Sequence, residues 1–350
     1  MTWTPLHAQI HRTIHARHLF PPKQRLLVAV SGGQDSLCLI KLLLDLQPKW
    51  EWNIAIAHCD HCWREDSQAN AHHVANLAKT WHKPFYLETA NQPVKSEATA
   101  RNWRYQALAK IAQSYNYQYI ITGHTASDRA ETLLYNLIRG TGTDGLQALT
   151  WQRPLTENIT LIRPLLEITR SQTEQFCQKF NLPIWEDSTN QNLKHPRNRI
   201  RKQLIPYLKE NFNPQVEGNL AQTAELLQAE VEFLEETALH WRLEASAKGD
   251  KDNLQINRRV LQKAPLAVQR RVMRQILQEI LPHAPNFEHI EKLTALITAP
   301  NRSQTDPFPG GLTAIVQGDW INLSSVLGVS PSETLRERSF SFGDATGTEL

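Results

Sequence analysis

Cysteine is scarce in this sequence: four residues in a chain of 350 are too few for a disulfide framework, and a reducing compartment is the expectation. Apolar stretches are short. None reaches the roughly 20 residues that a bilayer crossing needs, and the amino-terminal MTWTPLHAQIHRTIHARHLF is polar and basic where a secretory leader would be apolar. A cytoplasmic protein that does not engage a membrane is expected. Net charge is also small, +3 by formal count, so average electrostatics point to no partner. No G-x-x-x-x-G-K-[ST] occurs, which removes the lysine that would hold a γ-phosphate and disfavours kinase or GTPase chemistry. There is no internal repeat and no low-complexity segment. What is present, 41% hydrophobic and 21% charged residues, describes a globular chain long enough for two cores.

Residues 24 to 46, QRLLVAVSGGQDSLCLIKLLLDL, stand out. Leu26 to Val30 are apolar without alternation, as in a strand buried on both faces of a parallel sheet, and Leu37, Ile40 and Leu44 then recur at helical spacing. Between them lie Ser31, Gly32, Gly33, Gln34, Asp35 and Ser36. The two glycines allow a tight turn that brings backbone N–H groups toward an anion at a helix start, and the serines add hydroxyls. Asp35 would repel a bare phosphate. A bridging Mg²⁺, held by one carboxylate and several phosphate oxygens, removes that conflict, so the turn reads as a cradle for a nucleotide triphosphate or pyrophosphate with Asp35 as metal ligand. A second glycine pattern, Gly140, Gly142 and Gly145, follows a helix rather than a first strand and reads as a loop.

Strands and helices alternate through the first half. Strands are expected at Asn53 to Ala57, Phe85 to Leu87, Tyr117 to Thr122 and Thr160 to Leu165, with helices over 67–81, 97–115, 127–139 and 169–180. Such β-α units imply an α/β fold, an open parallel sheet with helices on both faces and a ligand site beyond the carboxyl ends of its strands. Polar residues gather at those ends: His58, Asp60, His61 and Arg64 after the second strand, and Gly123, His124 and Asp128 after the YQYIIT strand. After about Tyr207 the text turns helical, with helices expected from Pro214 to Ala247, Arg258 to Ile280 and Phe287 to Ile297, then a terminal β-hairpin within Asn301 to Leu323. The expected division is a catalytic domain over 1–210, a smaller, mainly helical domain over 211–330, and a loosely ordered tail over 331–350.

Several groupings bear on chemistry. Asp128 and Glu131 lie one helical turn apart at a helix start, so two carboxylates face one cleft, able to bind a metal, exchange protons or hold an amine. Helix-dipole preference alone explains either acid but not the pair with its preceding Gly-His turn. Glu97, Arg101, Arg104 and Tyr105 share a helix face, on which arginines could clamp phosphate or Arg101 could simply pair with Glu97. Two basic series, Lys194, Arg197, Arg199, Arg201 and Lys202, and then Arg258, Arg259, Lys263, Arg270, Arg271 and Arg274, read either as a polyanion footprint such as RNA requires or as solvated helix faces. Cys59 and Cys62 form a CxxC with no second pair nearby, which disfavours zinc and leaves them as small apolar fillers.

The SGGQDS turn resembles the signature of the PP-loop (N-type) ATP pyrophosphatases, which cleave ATP to AMP and pyrophosphate. With HCDHCWR, EATARNWRY, TGHTASDRAETLLYNLIRGTGTDGL, IRPLL, and WEDSTN followed by RNRIRKQLIPYL, in this order, residues 24 to 208 resemble the tRNA(Ile)-lysidine synthases. LAVQRRVMRQILQEI and FEHIEKLTALI are similar to that family's substrate-binding domain, and the chain resembles the shorter form without the extra C-terminal domain. Departures are Cys59, Cys62, Ser127 and Arg129. The resemblance implies a two-step ligation: ATP adenylates the wobble cytidine of an isoleucine tRNA with a CAU anticodon, and the ε-amine of free L-lysine displaces AMP, changing codon reading from AUG to AUA. It implies that Ser31, Gly32, Gly33, Gln34, Asp35, Ser36, His58 and His124 contact ATP and that Asp35 holds Mg²⁺. Asp128 and Glu131 would hold the lysine ammonium, Arg101 and Arg104 would stabilise phosphate or anticodon groups, and Arg197, Asn198, Arg199 and Arg201 would touch tRNA or gate the site. A homodimer is left open. The rival is a PP-loop tRNA thiolation enzyme, for which Cys59 and Cys62 would be the reactive groups; a further one is an RNA-binding module with a vestigial nucleotide fold.

Overall fold

The computed structural model describes residues 3–62, 65–91, 97–186, 193–248 and 254–325. Arg64, Ser188 to Asn190, the Glu97 side chain and the tail over 331–350 lie outside the described residues. The chain divides into two compact units, 1–228 and 229–350.

The first unit runs α1 (Pro5–Ala16), β1 (Arg25–Ala29), α2 (Gln34–Trp50), β2 (Asn53–Asp60), α3 (Ser67–Thr80), β3 (Phe85–Thr89), α4 (Glu97–Ser114), β4 (Tyr119–Ile121), α5 (Ala126–Ile138) and α6 (Thr143–Leu146). It continues with β5 (Gln152–Thr156), β6 (Ile159–Ile162), α7 (Arg170–Lys179), α8 (Pro196–Arg199), a π-helical turn (Ile200–Leu204), α9 (Ile205–Asn211) and the start of α10 (Val216–Ala245). The sheet order is β3-β2-β1-β4-β6-β5. β1, β2, β3, β4 and β6 are parallel, with Leu27 opposite Ala55 on one side and Ile120 on the other. Leu26, Leu27 and Val28 are fully buried because helices cover both faces, as their unbroken apolar text requires.

Three features differ from the sequence expectation. β5 is an antiparallel edge strand hairpinned to β6, with an irregularity between Pro154 and Thr156; proline suits an edge, where a missing N–H breaks no ladder. β2 runs on to Asp60 because β3 pairs with it as far as Asp60↔Thr89, so His58 and Asp60 are strand residues rather than loop residues. α1 is a helix not foreseen in the polar N-terminal text; Leu6, Ile10 and Ile14 form its buried stripe.

The second unit holds the rest of α10, β7 (Ser246–Lys248), β8 (Leu254–Asn257), α11 (Arg258–Leu261), α12 (Leu266–Ile280), α13 (Phe287–Ala295), β9 (Leu312–Gln317) and β10 (Trp320–Ser325). The expected hairpin is β9–β10, but it belongs to a four-stranded antiparallel sheet of order β7-β8-β10-β9. The single helix expected over 258–280 is broken before Leu266, with Pro265 as the residue preceding α12. Val272, Met273, Ile276 and Leu277 of α12 pack in one core with Ile256, Ala314, Val316 and Ile321 of the sheet.

Candidate active site

A cavity of about 370 Å³ opens at the carboxyl edge of β1, β2 and β4. Ser31, Gly33, Gln34, Asp35, Ser36, His58, Arg104, His124 and Asp128 all line it, so groups spread over nearly a hundred positions meet there. Gly32 takes φ +85°, and a Cβ on it would sit 2.5 Å from Asn70 Oδ1. The Asn70 amide donates to the Ser31 carbonyl at 3.0 Å, so α3 props the turn from beneath. Gly123 has a parallel reason: its Cβ would lie 2.9 Å from the Asp35 carbonyl oxygen, so only glycine lets the end of β4 approach the first turn of α2.

The serines shape the turn. Ser36 Oγ donates to the Gly33 carbonyl at 2.8 Å and accepts from Ser31 N–H at 3.2 Å, while Ser31 Oγ accepts from Gly33 N–H at 3.3 Å. Nδ1 of His58 donates to the Val30 carbonyl at 2.7 Å, which fixes its tautomer and ties β2 to the turn.

Asp35 is gripped from α7, whose residues were not singled out in the sequence. Thr173 Oγ1 donates to Asp35 Oδ1 at 2.5 Å and the Arg170 guanidinium lies 3.4 Å from Oδ2. Gln34 Nε2 donates to Thr173 Oγ1 and to the Arg170 carbonyl. Burial raises the Asp35 carboxyl; Arg170 and Thr173 pull the other way and Asp128 adds to the rise. Trp185 opens the WEDSTN motif, which the sequence gives no role: its N–H donates to the Gly32 carbonyl at 3.0 Å and its indole to Asp66 at 3.0 Å. The available signal for α7 was the T-x-x-Q capping box of Thr169 and Gln172, which starts the helix after the segment that follows β6.

The acid pair forms as the spacing predicts. Asp128 closes a capping box, its Oδ2 accepting from the N–H and hydroxyl of Thr125 at 2.8 Å each. Arg201 spans both acids, with Nε donating to Glu131 at 2.6 Å, and one terminal nitrogen to Glu131 at 2.9 Å and to Asp128 at 3.2 Å. Arg201, expected at RNA, therefore turns its guanidinium to the carboxylates from the π-helical turn. Burial pushes the Asp128 carboxyl up, but His124, Arg201 and the Thr125 bonds outweigh it and leave Asp128 below the usual range. Glu131 is raised, by burial first, against the pull of Arg201. Burial, with Arg163 beside it, lowers His124 to about 3.

The remaining expected residues divide. Arg101 stands 5.7 Å over the Tyr105 ring, near the cavity wall. Arg197, Asn198 and Arg199 lie on α8, do not line the cavity, and Arg197 sits 5.8 Å over the Tyr135 ring. Ser127 and Arg129 explain themselves structurally: the Ser127 hydroxyl accepts from Arg170 N–H and bonds Glu217, and Arg129, 1% exposed, pairs with Glu225 at 2.5 Å. Cys59 Sγ points to the Arg104 carbonyl and Cys62 Sγ to that of Ala90; burial pushes Cys59 up to about 12. Among the described residues no group of three or more His, Cys, Asp or Glu side chains could hold a metal ion.

A mainly parallel sheet whose first strand feeds a glycine turn at a helix start defines a PP-loop ATP-binding protein, and the PP-loop domain family matches residues 5–208. The family described as TilS substrate binding domain matches residues 257–318. The chain belongs to the tRNA(Ile)-lysidine synthase family of ligases. It is 74% identical over 334 residues to the tRNA(Ile)-lysidine synthase of a Nostoc species, covering 92% of this chain and 98% of that one. It is 50% identical to that of a Synechocystis species over 92% and 98%, and 35% identical to the chloroplastic enzyme of Zygnema circumcarinatum over 85% and 81%. Among solved structures, the U34-tRNA thiolase NcsA from Methanococcus maripaludis superposes with a TM-score of 0.54 over 64% of this chain and 78% of that one. At 14% identity that likeness establishes the fold alone. No helix of the described residues is long and apolar enough to cross a membrane.

Proposed function

We propose that this protein ligates free L-lysine to the wobble cytidine of an isoleucine tRNA bearing a CAU anticodon, cleaving ATP to AMP and pyrophosphate and converting AUG reading to AUA reading. The observation that carries this is the single cavity shared by the SGGQDS turn and Asp128, with Glu131 joined to Asp128 through Arg201.

In the first step the turn seats the phosphates of ATP, with backbone N–H groups at the start of α2 and the Arg170 guanidinium opposing their charge. Mg²⁺ fits the donor set: Asp35 is a half-buried carboxylate lining the cavity, its carboxyl raised by desolvation first and by the neighbouring Asp128. Asp35 would hold the ion, which neutralises pyrophosphate charge when bound. The cytidine O2 takes the adenylyl group. In the second step the acid pair receives an ammonium where a guanidinium now lies, because a lysine head group carries the same charge and hydrogen-bonding sense as Arg201. Arg104 lines the cavity where the activated base would sit and Arg101 stands over the neighbouring Tyr105 ring, while Arg197, Asn198 and Arg199 would track the tRNA backbone. The catalytic steps belong to the PP-loop part, and the mainly helical part would grip the tRNA.

A thiolation reading is disfavoured by Cys59, whose thiol is held far from thiolate at neutral pH. The test is incubation with ATP, labelled lysine and tRNA transcripts differing only in the anticodon. Lysine incorporation confined to the CAU transcript is expected, and incorporation independent of anticodon, or none, would refute the proposal.

A further inference from the structure

Arg201 and Arg170 both stand beside carboxylates of this site, and they are held differently. Arg201 meets Glu131 and Asp128 through bonds of 2.6, 2.9 and 3.2 Å. Arg170 meets Asp35 across a 3.4 Å ion pair, longer than the roughly 2.7–2.9 Å of a charge-assisted hydrogen bond. The Arg170 side chain keeps 35% exposure where that of Asp35 keeps 15%. An ion pair of that length and exposure contributes modestly, so the guanidinium can leave Asp35 at small cost.

The Arg170 backbone, by contrast, is anchored on two sides. Its N–H donates to the Ser127 hydroxyl of α5 at 2.9 Å, and its carbonyl accepts from Gln34 Nε2 of α2 at 2.6 Å. Asp35 also has a holder independent of the guanidinium. The Thr173 hydroxyl donates to Oδ1 at 2.5 Å and accepts from Gln34 Nε2 at 2.8 Å, while Arg170 faces Oδ2. One carboxylate oxygen is thus fixed by a hydroxyl and the other is covered by a loosely held cation on a fixed backbone. Arg170, Asp35, Ser31 and Gly33 line the same cavity, so a guanidinium released from Asp35 remains in the space that would receive the phosphates. In the empty site a partly desolvated Asp35 needs a counter-charge. A divalent cation arriving with a polyphosphate reverses the balance, because like charge then repels the guanidinium from Asp35 and the phosphates attract it.

Resting on the ATP and Mg²⁺ reading above, we propose that Arg170 is an exchanging counter-ion: it neutralises Asp35 in the empty site and turns to the nucleotide phosphates once Mg²⁺ takes up the carboxylate. Gln34 and Thr173 act as positioning residues, holding Asp35 and the Arg170 backbone still while the head group moves. The exchange couples two binding events. Arg170 yields Asp35 most cheaply when phosphates are present to receive it, so the site is biased against a metal ion alone and toward metal and nucleotide together.

Two binding measurements on the whole chain, made without tRNA so that no turnover occurs, should move in opposite directions. In Arg170→Gln, Mn²⁺ alone, followed by the paramagnetic resonance of the free ion, should bind about two- to fivefold tighter, because Asp35 has lost its competitor. ATP with Mg²⁺, followed by calorimetry, should bind about 10–100-fold more weakly, because the phosphates have lost a cation. Arg170→Lys keeps the charge and should return both affinities toward those of the unaltered protein. Asp35→Asn should abolish the Mn²⁺ binding gained in Arg170→Gln. Parallel losses of Mn²⁺ and ATP in Arg170→Gln, a change in one affinity with the other unmoved, or Mn²⁺ binding that survives Asp35→Asn would each overturn the exchange while leaving the ATP reading intact. Failure of the unaltered protein to bind ATP with Mg²⁺ would overturn that reading and this inference with it.

Discussion

Gly32 combines a left-handed backbone with the Asn70 amide packed where a side chain would project. Gly32→Ala should cost about 1–3 kcal/mol locally and weaken ATP binding more than global stability, which ATP titration and thermal unfolding would resolve. Asp35→Ala should abolish AMP formation while tRNA binding, measured by filter retention, stays near its starting value; retained turnover would refute its metal role. Asp128→Asn keeps the cap on α5 but removes a charge from the acid pair. ATP–pyrophosphate exchange should remain measurable while the lysine requirement rises, and unchanged lysine dependence would count against that assignment. Much of this site is legible in the sequence. SGGQDS and the Asp128–Glu131 spacing are local patterns whose chemistry follows from residue type. Arg170, Thr173 and Trp185 are not legible there, because their roles depend on a packing of α7 and the segment after it against α2 that no spacing encodes.

The start of helix α10 is tied to the first unit's other elements by Glu225, which meets Arg17 just after α1, Arg129 of α5 and the Trp151 indole at 2.6, 2.5 and 2.7 Å. Removing it strands Arg129 in the interior. Glu225→Ala should destabilise the protein by about 2–3 kcal/mol, less than a fully enclosed pair would lose, since Glu225 keeps 31% exposure. Burial raises this carboxyl, but Arg129, Trp151 and Arg17 together hold it below its ordinary value. Its contribution is therefore present above about pH 4.3 and lost on acidification through the lower folded value. Melting temperature followed against pH should show that loss in the unaltered chain and a flatter acid limb in Glu225→Gln. Apart from α1 and the break before α12, the longer helices and the parallel strands were legible because their periods are strong; among the strands, β5, β7 and β8 were not. Each is three to five residues long, and their pairing, rather than their own text, makes them strands.

The basic residues of the second unit are held largely by their own neighbours. Of the second series, Arg259 pairs with Asp319, Arg270 with Glu291, and Arg271 and Arg274 both with Glu235, while Arg258 donates to the Ala299 carbonyl. The RNA footprint read from composition is thus largely engaged by internal partners, which a sequence does not reveal. Substituting Arg259 or Arg270 by alanine should change the slope of log affinity against log salt for tRNA by well under about 0.9, whereas Arg199→Ala should lower it by about that much. The widened turn at Ile200–Leu204 adds one last consequence. It accommodates one residue more than α winding would, so chain length there is a chemical variable: excising a single residue would restore regular pitch and swing the azimuth of Arg201 by about 100°. Asp128 and Glu131 would then lose the guanidinium that bridges them.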